Sequence, residues 1–249
     1  MRRCRRLAIL TLWLCLAAWP ALAAELTVSA AASLTNVFGE LKPLFEKAHP
    51  GQTLTFNFAA SGPLLKQIAE GAPVDVFASA DQETMDAAAA KGLIATATRR
   101  NFTANELVLI APSDSKIPLR TPADLAAAPI QRIAIGNPDS VPAGRYARDA
   151  LGGLYAGLSP KFVLAASVRQ VLDYVRRAEV QAGFVYRTDA MVAKDAVRVV
   201  MTMSGHAPIL YPAAVVAASP HKNEAALFVG FLLSPEAQAV LARHGFAKP

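Results

Sequence analysis

Cysteine occurs at only two positions, Cys4 and Cys15, both within the first two dozen residues. Arg2, Arg3, Arg5 and Arg6 surround Cys4, an apolar run occupies 7–18 (LAILTLWLCLAA), and Pro20 is followed by Ala21-Leu22-Ala23. A positive start, a short apolar run and a small-x-small triplet read as a cleaved secretory signal peptide over 1–23, placing the mature protein outside the cytoplasm. The run is about a dozen residues long, whereas a membrane span needs roughly 20. Trp13 and Leu14 stand before Cys15 where a lipoprotein leader needs small residues, so no lipid anchor is expected. The chain beyond the leader has no cysteine, which excludes a disulfide, a thiolate metal site and a cysteine nucleophile.

Excess charge of one sign is also missing. Four of the 25 basic residues and none of the 19 acidic ones lie in 1–23, leaving 21 against 19, a net charge of +2 in place of +6. The pI near 9.5 is therefore partly a property of the leader, and nucleic-acid binding loses its electrostatic support. Later apolar runs, such as 213–218 after Pro212, are short and read as buried strands. Low-complexity tracts, heptads and repeats of roughly 20–50 residues are absent.

The usual enzyme signatures are missing too: no G-x-S-x-G, P-loop, dinucleotide fingerprint or H-E-x-x-H. The four histidines, 49, 206, 221 and 244, are scattered, and turn or helix-end roles suit them. Asp75 and Asp81 read as a solvated strand end and a helix cap rather than as a catalytic pair.

What the chain does contain is an alternation of short apolar runs and amphipathic stretches. Strands are expected at 26–30, 54–58 and 74–78, each followed by a helix, at 33–49, 62–70 and 81–91. A second series has strands at 106–111, 132–135, 163–165 and 182–186, with helices at 121–127, 143–151 and 167–178. Runs at 197–202 and 213–218 and helices at 224–233 and 235–244 complete the chain. The rhythm predicts an α/β fold with largely parallel sheets, in two lobes with a cleft between them. The roughly 226 residues beyond the leader suffice for one large core or two small ones.

Four times an apolar run leads into a helix through small, hydroxyl or proline residues: AAAS at 30–33, ASGP at 60–63, VPAG at 141–144 and ASV at 166–168. Helix N-termini carry unpaired N–H groups and positive dipole ends, and so suit anions. Ordinary N-capping explains any one of them; convergence on one cleft would point to an anion site.

These blocks, with others in order along the chain, resemble the periplasmic molybdate-binding proteins that feed an ABC importer. The markers are AAASLTN at 30–36, FAAS at 58–61 with KQI at 66–68, GAPVDVFASAD at 71–81, IGNPDSVPAGRY at 135–146, SVR at 167–169, GFVYRTD at 183–189 and Tyr211-Pro212. The resemblance implies a two-lobed periplasmic binding protein fold of type II, each lobe a mixed, mainly parallel sheet flanked by helices. Lobe 1 would comprise 24–104 plus 212–249, and lobe 2 residues 105–211. It implies a monomeric periplasmic carrier, not an enzyme, that binds molybdate or tungstate, needs no cofactor or directly ligated metal cation, and docks on a membrane permease. Carried over by position, the ligand donors are the hydroxyls of Ser33 and Ser61, the amides of Ala143 and Val168, and the Tyr186 hydroxyl. Gly62-Pro63 departs from the family's more polar pattern. Pro63 has no N–H, so an amide there must come from Ser61 or Gly62.

The donor set suits a tetrahedral dianion, whose four oxygens only accept hydrogen bonds. Charge-assisted bonds are worth about 1.5–3 kcal/mol each, and micromolar binding needs roughly 8 kcal/mol net. Protonated phosphate would want a carboxylate acceptor, and the five assigned groups include none; discrimination against sulfate must rest on pocket size. Sulfate remains the alternative ligand. A ferric site is disfavoured because no Tyr-Tyr pair is present. Arg145, Arg169 and Arg187 flank three of the donors and are expected either to steer anions at the cleft rim or to be plain helix-surface charge.

Overall fold

The computed structural model describes residues 24–249; the expected leader lies outside the described residues. In chain order the strands and helices are β1 (Ala24–Ala31), α1 (Thr35–Ala48), β2 (Gln52–Ala59), α2 (Ser61–Ala69), β3 (Val76–Ala78), α3 (Gln82–Ala90), β4 (Arg100–Asn105), β5 (Leu107–Pro112), β6 (Ile133–Gly136), α4 (Pro142–Leu151), α5 (Leu154–Leu158), β7 (Phe162–Ala165), α6 (Val168–Arg176), β8 (Ala182–Tyr186), α7 (Arg187–Val192), β9 (Val197–Thr202), β10 (Ile209–Val215), α8 (Lys222–Phe231) and α9 (Pro235–Arg243). Short 3-10 turns, among them Ala32–Leu34 and Pro122–Ala126, fill some connections. The second of these is the helix expected at 121–127, with Pro122 in its first turn.

Two five-stranded sheets form, ordered β2-β1-β3-β10-β4 and β7-β6-β8-β5-β9. In the first, β1 pairs parallel with β2 and β3, and β10 runs antiparallel between β3 and β4. In the second, β6 pairs parallel with β7 and β8, and β5 runs antiparallel between β8 and β9. Each sheet is therefore mixed, with one strand reversed. The reversed strand is in both cases the first to follow a crossover from the other sheet: β5 directly after β4, and β10 after β9. Among the described residues the chain passes between sheets only at 105–107 and at 203–208. The strand Ile209–Val215 lies wholly in the first sheet, so its opening residues sit there and not with lobe 2.

Side-chain alternation covers both faces of the first sheet. Val76 and Ala78 of β3 join the core that also contains α1 and α8, while Phe77 packs with Leu64, Leu65 and Ile68 of α2 and Met85 of α3. On α1, Val37, Phe38, Leu41 and Phe45 are buried at helical spacing. Phe228 of α8 meets Phe38 and Phe45 edge-on, at centroid distances of 5.8 and 5.2 Å. Burying such side chains contributes about 1.5–3 kcal/mol each. On β8, every residue from Ala182 to Tyr186 is buried.

Asp81 is the expected cap, accepting from the Thr84 amide at 3.2 Å. Asp75 is not solvated as expected. It is 5% exposed, and its carboxylate accepts from the Ser219 hydroxyl at 2.6 Å and the Thr27 amide at 2.8 Å, tying β1 to the segment after β10.

Candidate functional site between the two lobes

In the first lobe, β1 runs into the turn Ala32–Leu34, which carries Ser33 into the start of α1. Ser33 is 2% exposed, and its Oγ lies 3.0 Å from the Tyr211 hydroxyl. Tyr211 in turn accepts from Asn105 Nδ2 at 3.3 Å. The Asn105 amide is oriented by its oxygen, which accepts from the Glu106 N–H at 2.9 Å, and by a second Nδ2 bond to Thr188 at 2.9 Å. The Ser33–Tyr211 bond can run either way, because a Tyr211 oxygen that accepts from Asn105 keeps a second lone pair; with Tyr211 as donor, the Ser33 proton is free to point elsewhere. Ser61 opens α2 and is fully buried; its Oγ accepts from the Ala80 amide at 3.0 Å, which likewise leaves its own proton to donate. As the first residue of a helix, Ser61 also has an amide without an intrahelical acceptor.

In the second lobe, Ala143 and Val168 stand at helix starts. Pro142 has no N–H, so the Ala143 amide is the first that α4 offers. Gly144 sets the aim of this helix: a Cβ there would lie 1.9 Å from the Gly136 carbonyl, so only glycine lets α4 seat so closely on the end of β6. Val168 is the first residue of α6, capped by Ser167, whose Oγ accepts from Gln170 N at 3.2 Å. Tyr186 ends β8. Its ring is 5.8 Å from that of Tyr211, and its hydroxyl is buried with no hydrogen-bond partner. Burial pushes this hydroxyl's pKa well above its ordinary value, with Tyr211 the next contributor, so it stays protonated and able to donate.

Contacts across the seam bring these positions together. Arg169, next to Val168, donates from Nη2 to the Ser33 carbonyl at 3.2 Å. Gly62, next to Ser61, donates its N–H to the Ser140 carbonyl at 3.1 Å, three residues before Ala143. Tyr211 lies between Ser33 and Tyr186. Among the described residues no hydrogen bond joins two of the five expected donors. The Gly62 amide is spent on Ser140, so of the two amides proposed to compensate for Pro63 only that of Ser61 remains.

The three arginines are not free cations at the rim. Arg145, 8% exposed, is held by Asp81. Arg187 pairs with Glu106 and bonds Thr202 at 2.7 Å. Arg169 Nε lies 2.7 Å from Asp189 Oδ1, an ion pair whose N–H points off the line of contact. With each charge answered by a neighbouring carboxylate, little field is left for long-range steering. Asp189 was not singled out by the sequence. It is fully buried, accepts from the Tyr186 amide at 3.2 Å, and burial raises its pKa to about 6 against the opposing pull of Arg169 and that amide. Tyr211 and Asn105 also escaped notice as site residues, although Tyr211-Pro212 stood among the family markers.

Residues 26–247 match the family model described as bacterial extracellular solute-binding protein. The chain is 39% identical to the molybdate-binding protein ModA of Escherichia coli K12 over 236 residues, covering 89% of this chain and 88% of that protein. It is 35% identical to the Haemophilus influenzae protein of the same name, over 91% of each. Among solved structures, the periplasmic molybdate-binding protein of Azotobacter vinelandii superposes with a TM-score of 0.78 at 24% identity, covering 90% of this chain and 99% of that one, a likeness of fold. Two mixed sheets joined by two crossovers, with a seam lined by helix starts, are the two-lobed type II arrangement, and the chain belongs to the bacterial extracellular solute-binding protein family.

Proposed function

We propose that this chain is a periplasmic binding protein that captures molybdate between its lobes and delivers it to an ABC importer. The observation that carries the reading is the Tyr186 hydroxyl, fully buried, protonated and without a partner at the seam. A buried unsatisfied hydroxyl costs about 1–3 kcal/mol, and an acceptor-only ligand removes that cost. The names of the relatives supply the anion. The Ser33 and Ser61 hydroxyls, the Ala143 and Val168 amides and Tyr186 would hold its oxygens, with the Ser61 amide as a further donor. All are neutral donors, so the bound dianion keeps its charge and is stabilised by oriented dipoles at the starts of α4 and α6.

Tungstate, with the same shape and charge, is expected to bind the same shell. Binding and release involve no chemical change in the ligand, and the protein acts as a monomeric carrier for a membrane permease. A thermal-shift screen tests the reading. Molybdate at about 100 times its Kd should add about 2.7 kcal/mol, a shift of several degrees for a chain of this size. A shift with sulfate but none with molybdate would overturn the assignment.

A further inference from the structure

The five expected donors are almost wholly buried, so an anion can enter or leave only if the lobes part. What holds them together is then a functional question, separate from what touches the ligand. One interlobe contact differs from the others in charge and in the number of its bonds. Asp81 caps α3 in the first lobe, and Arg145 lies on α4 in the second, two residues after Ala143. Arg145 donates to Asp81 Oδ2 from Nη2 at 2.5 Å and from Nε at 3.1 Å. Its Nη2 also reaches Thr84 Oγ1 at 2.7 Å, and Glu83 lies 3.4 Å from Nε.

Both partners are fixed on their own lobes. Asp81 Oδ1 accepts from the Ser79 hydroxyl at 3.1 Å and the Thr84 amide at 3.2 Å, while Arg145 Nη1 donates to the Pro138 carbonyl at 3.2 Å. Beside the pair, the Gly62–Ser140 bond brings the two backbones so close that a Cβ on Gly62 would lie 2.5 Å from the Ser140 carbonyl. Gly62, Glu83, Thr84, Asp139 and Arg145 line one groove, where solvent meets the seam.

We propose that the Arg145–Asp81 ion pair is a clasp across the mouth of the cleft, and that it sets how slowly a bound anion is released. The pair forms only when the lobes are shut. Parting them returns both charges to water, whereas removing Arg145 leaves the buried Asp81 carboxylate without a counter-charge in the shut form, and removing Asp81 leaves Arg145 with only the more distant Glu83. Neither residue is among the ligand donors, so the clasp acts on retention and not on the choice of anion. The inference rests on the oxyanion-binding reading above.

The test follows release of radiolabelled molybdate from the loaded protein, with Kd by calorimetry. Arg145→Gln and Asp81→Asn should each speed release at least about tenfold and weaken Kd in step, and Arg145→Lys should restore part of the effect. The double variant should fall short of the product of the single effects. The affinity ratio of molybdate to sulfate and the ligand-free melting temperature should stay as in wild type. Release within about twofold of wild type in Arg145→Gln overturns the clasp, as does a ligand-free melting temperature lowered as much as the loaded one. Failure of the wild-type protein to bind molybdate overturns the oxyanion reading and the clasp with it; wild-type binding with unchanged variants overturns the clasp alone.

Discussion

In the first lobe the helix starts at the seam present hydroxyl side chains, Ser33 and Ser61, each held from behind: Ser33 by its bond with the Tyr211 hydroxyl, Ser61 by the Ala80 amide. In the second lobe they present bare backbone, Ala143 and Val168, and among the expected ligand groups there Tyr186, at a strand end, is the one side chain. Strand order is the same in both, down to the single reversed strand that follows each crossover. A repeated scaffold thus presents two kinds of group at the seam, hydroxyls from one lobe and backbone amides from the other. Hydroxyls rotate to suit a ligand; amides at helix starts cannot, and they carry the dipole. The lobe with adaptable donors faces the lobe with fixed ones.

Substitutions can break this contrast. The largest effect is expected where the lobes meet. Gly62→Ala places a methyl against the Ser140 carbonyl, and because the contact is backbone on backbone it should hold the lobes apart. Molybdate affinity should fall by about 3 kcal/mol or more, read by calorimetry, while the ligand-free melting temperature stays near wild type. Next comes the fixed-donor lobe. Val168→Pro removes one amide at the position where helices accept proline, behind a residue with extended geometry (Ser167, φ −157°, ψ 163°). Binding should weaken by about 1.5–3 kcal/mol with helix content by circular dichroism unchanged.

The adaptable lobe should lose less. Ser33→Ala and Ser61→Ala are each expected to cost at least about 1 kcal/mol of affinity; wild-type affinity in both would remove the hydroxyls from the site. The smallest effect is on pH dependence. The Asp189 carboxyl sits at about 6 in the folded chain against an ordinary value of 3.8. Between those values the folded state holds a proton that the unfolded state has lost, so this group's contribution to stability declines as pH rises through the window and is level above it. Subtracting the stability of Asp189→Asn from that of wild type at pH values from about 4 to 7 should reveal that decline; a flat difference would contradict it.

Much of the scaffold was legible because each element carries its own signal. Val37, Phe38, Leu41 and Phe45 mark one face of α1, and the proline and small residues at 141–144 mark the start of α4. Other elements carry weak or contrary signals. β4 reads RNFTAN, with only Phe102 and Thr103 buried, so an edge strand made mostly of polar residues gave no apolar run. β10 contains Pro212, which argued for a strand starting after it. The structure places that proline beside a register shift, at Tyr211/Pro212, where a missing N–H is tolerated. α7 is one short turn after Tyr186, with the buried Asp189 in it, too short for periodicity to show.

At the site, single positions were readable as helix starts, but their partners were not. Ser33 and Tyr211 are 178 residues apart, and Asp81 and Arg145 are 64 apart. No local pattern encodes such pairings. That is why the arginines could be read either as steering charges at the rim or as plain surface charge, until the folded chain brought Asp81, Asp189 and Glu106 beside them.

The most direct test of molybdate capture by a shell of neutral donors is calorimetry with Tyr186→Phe. The substitution removes only the unpartnered hydroxyl. The expected result is molybdate affinity weaker by about 1.5–3 kcal/mol in a protein whose ligand-free melting temperature is at or above wild type. Wild-type affinity in Tyr186→Phe would contradict the assignment of this hydroxyl and, with it, the observation on which the functional reading stands.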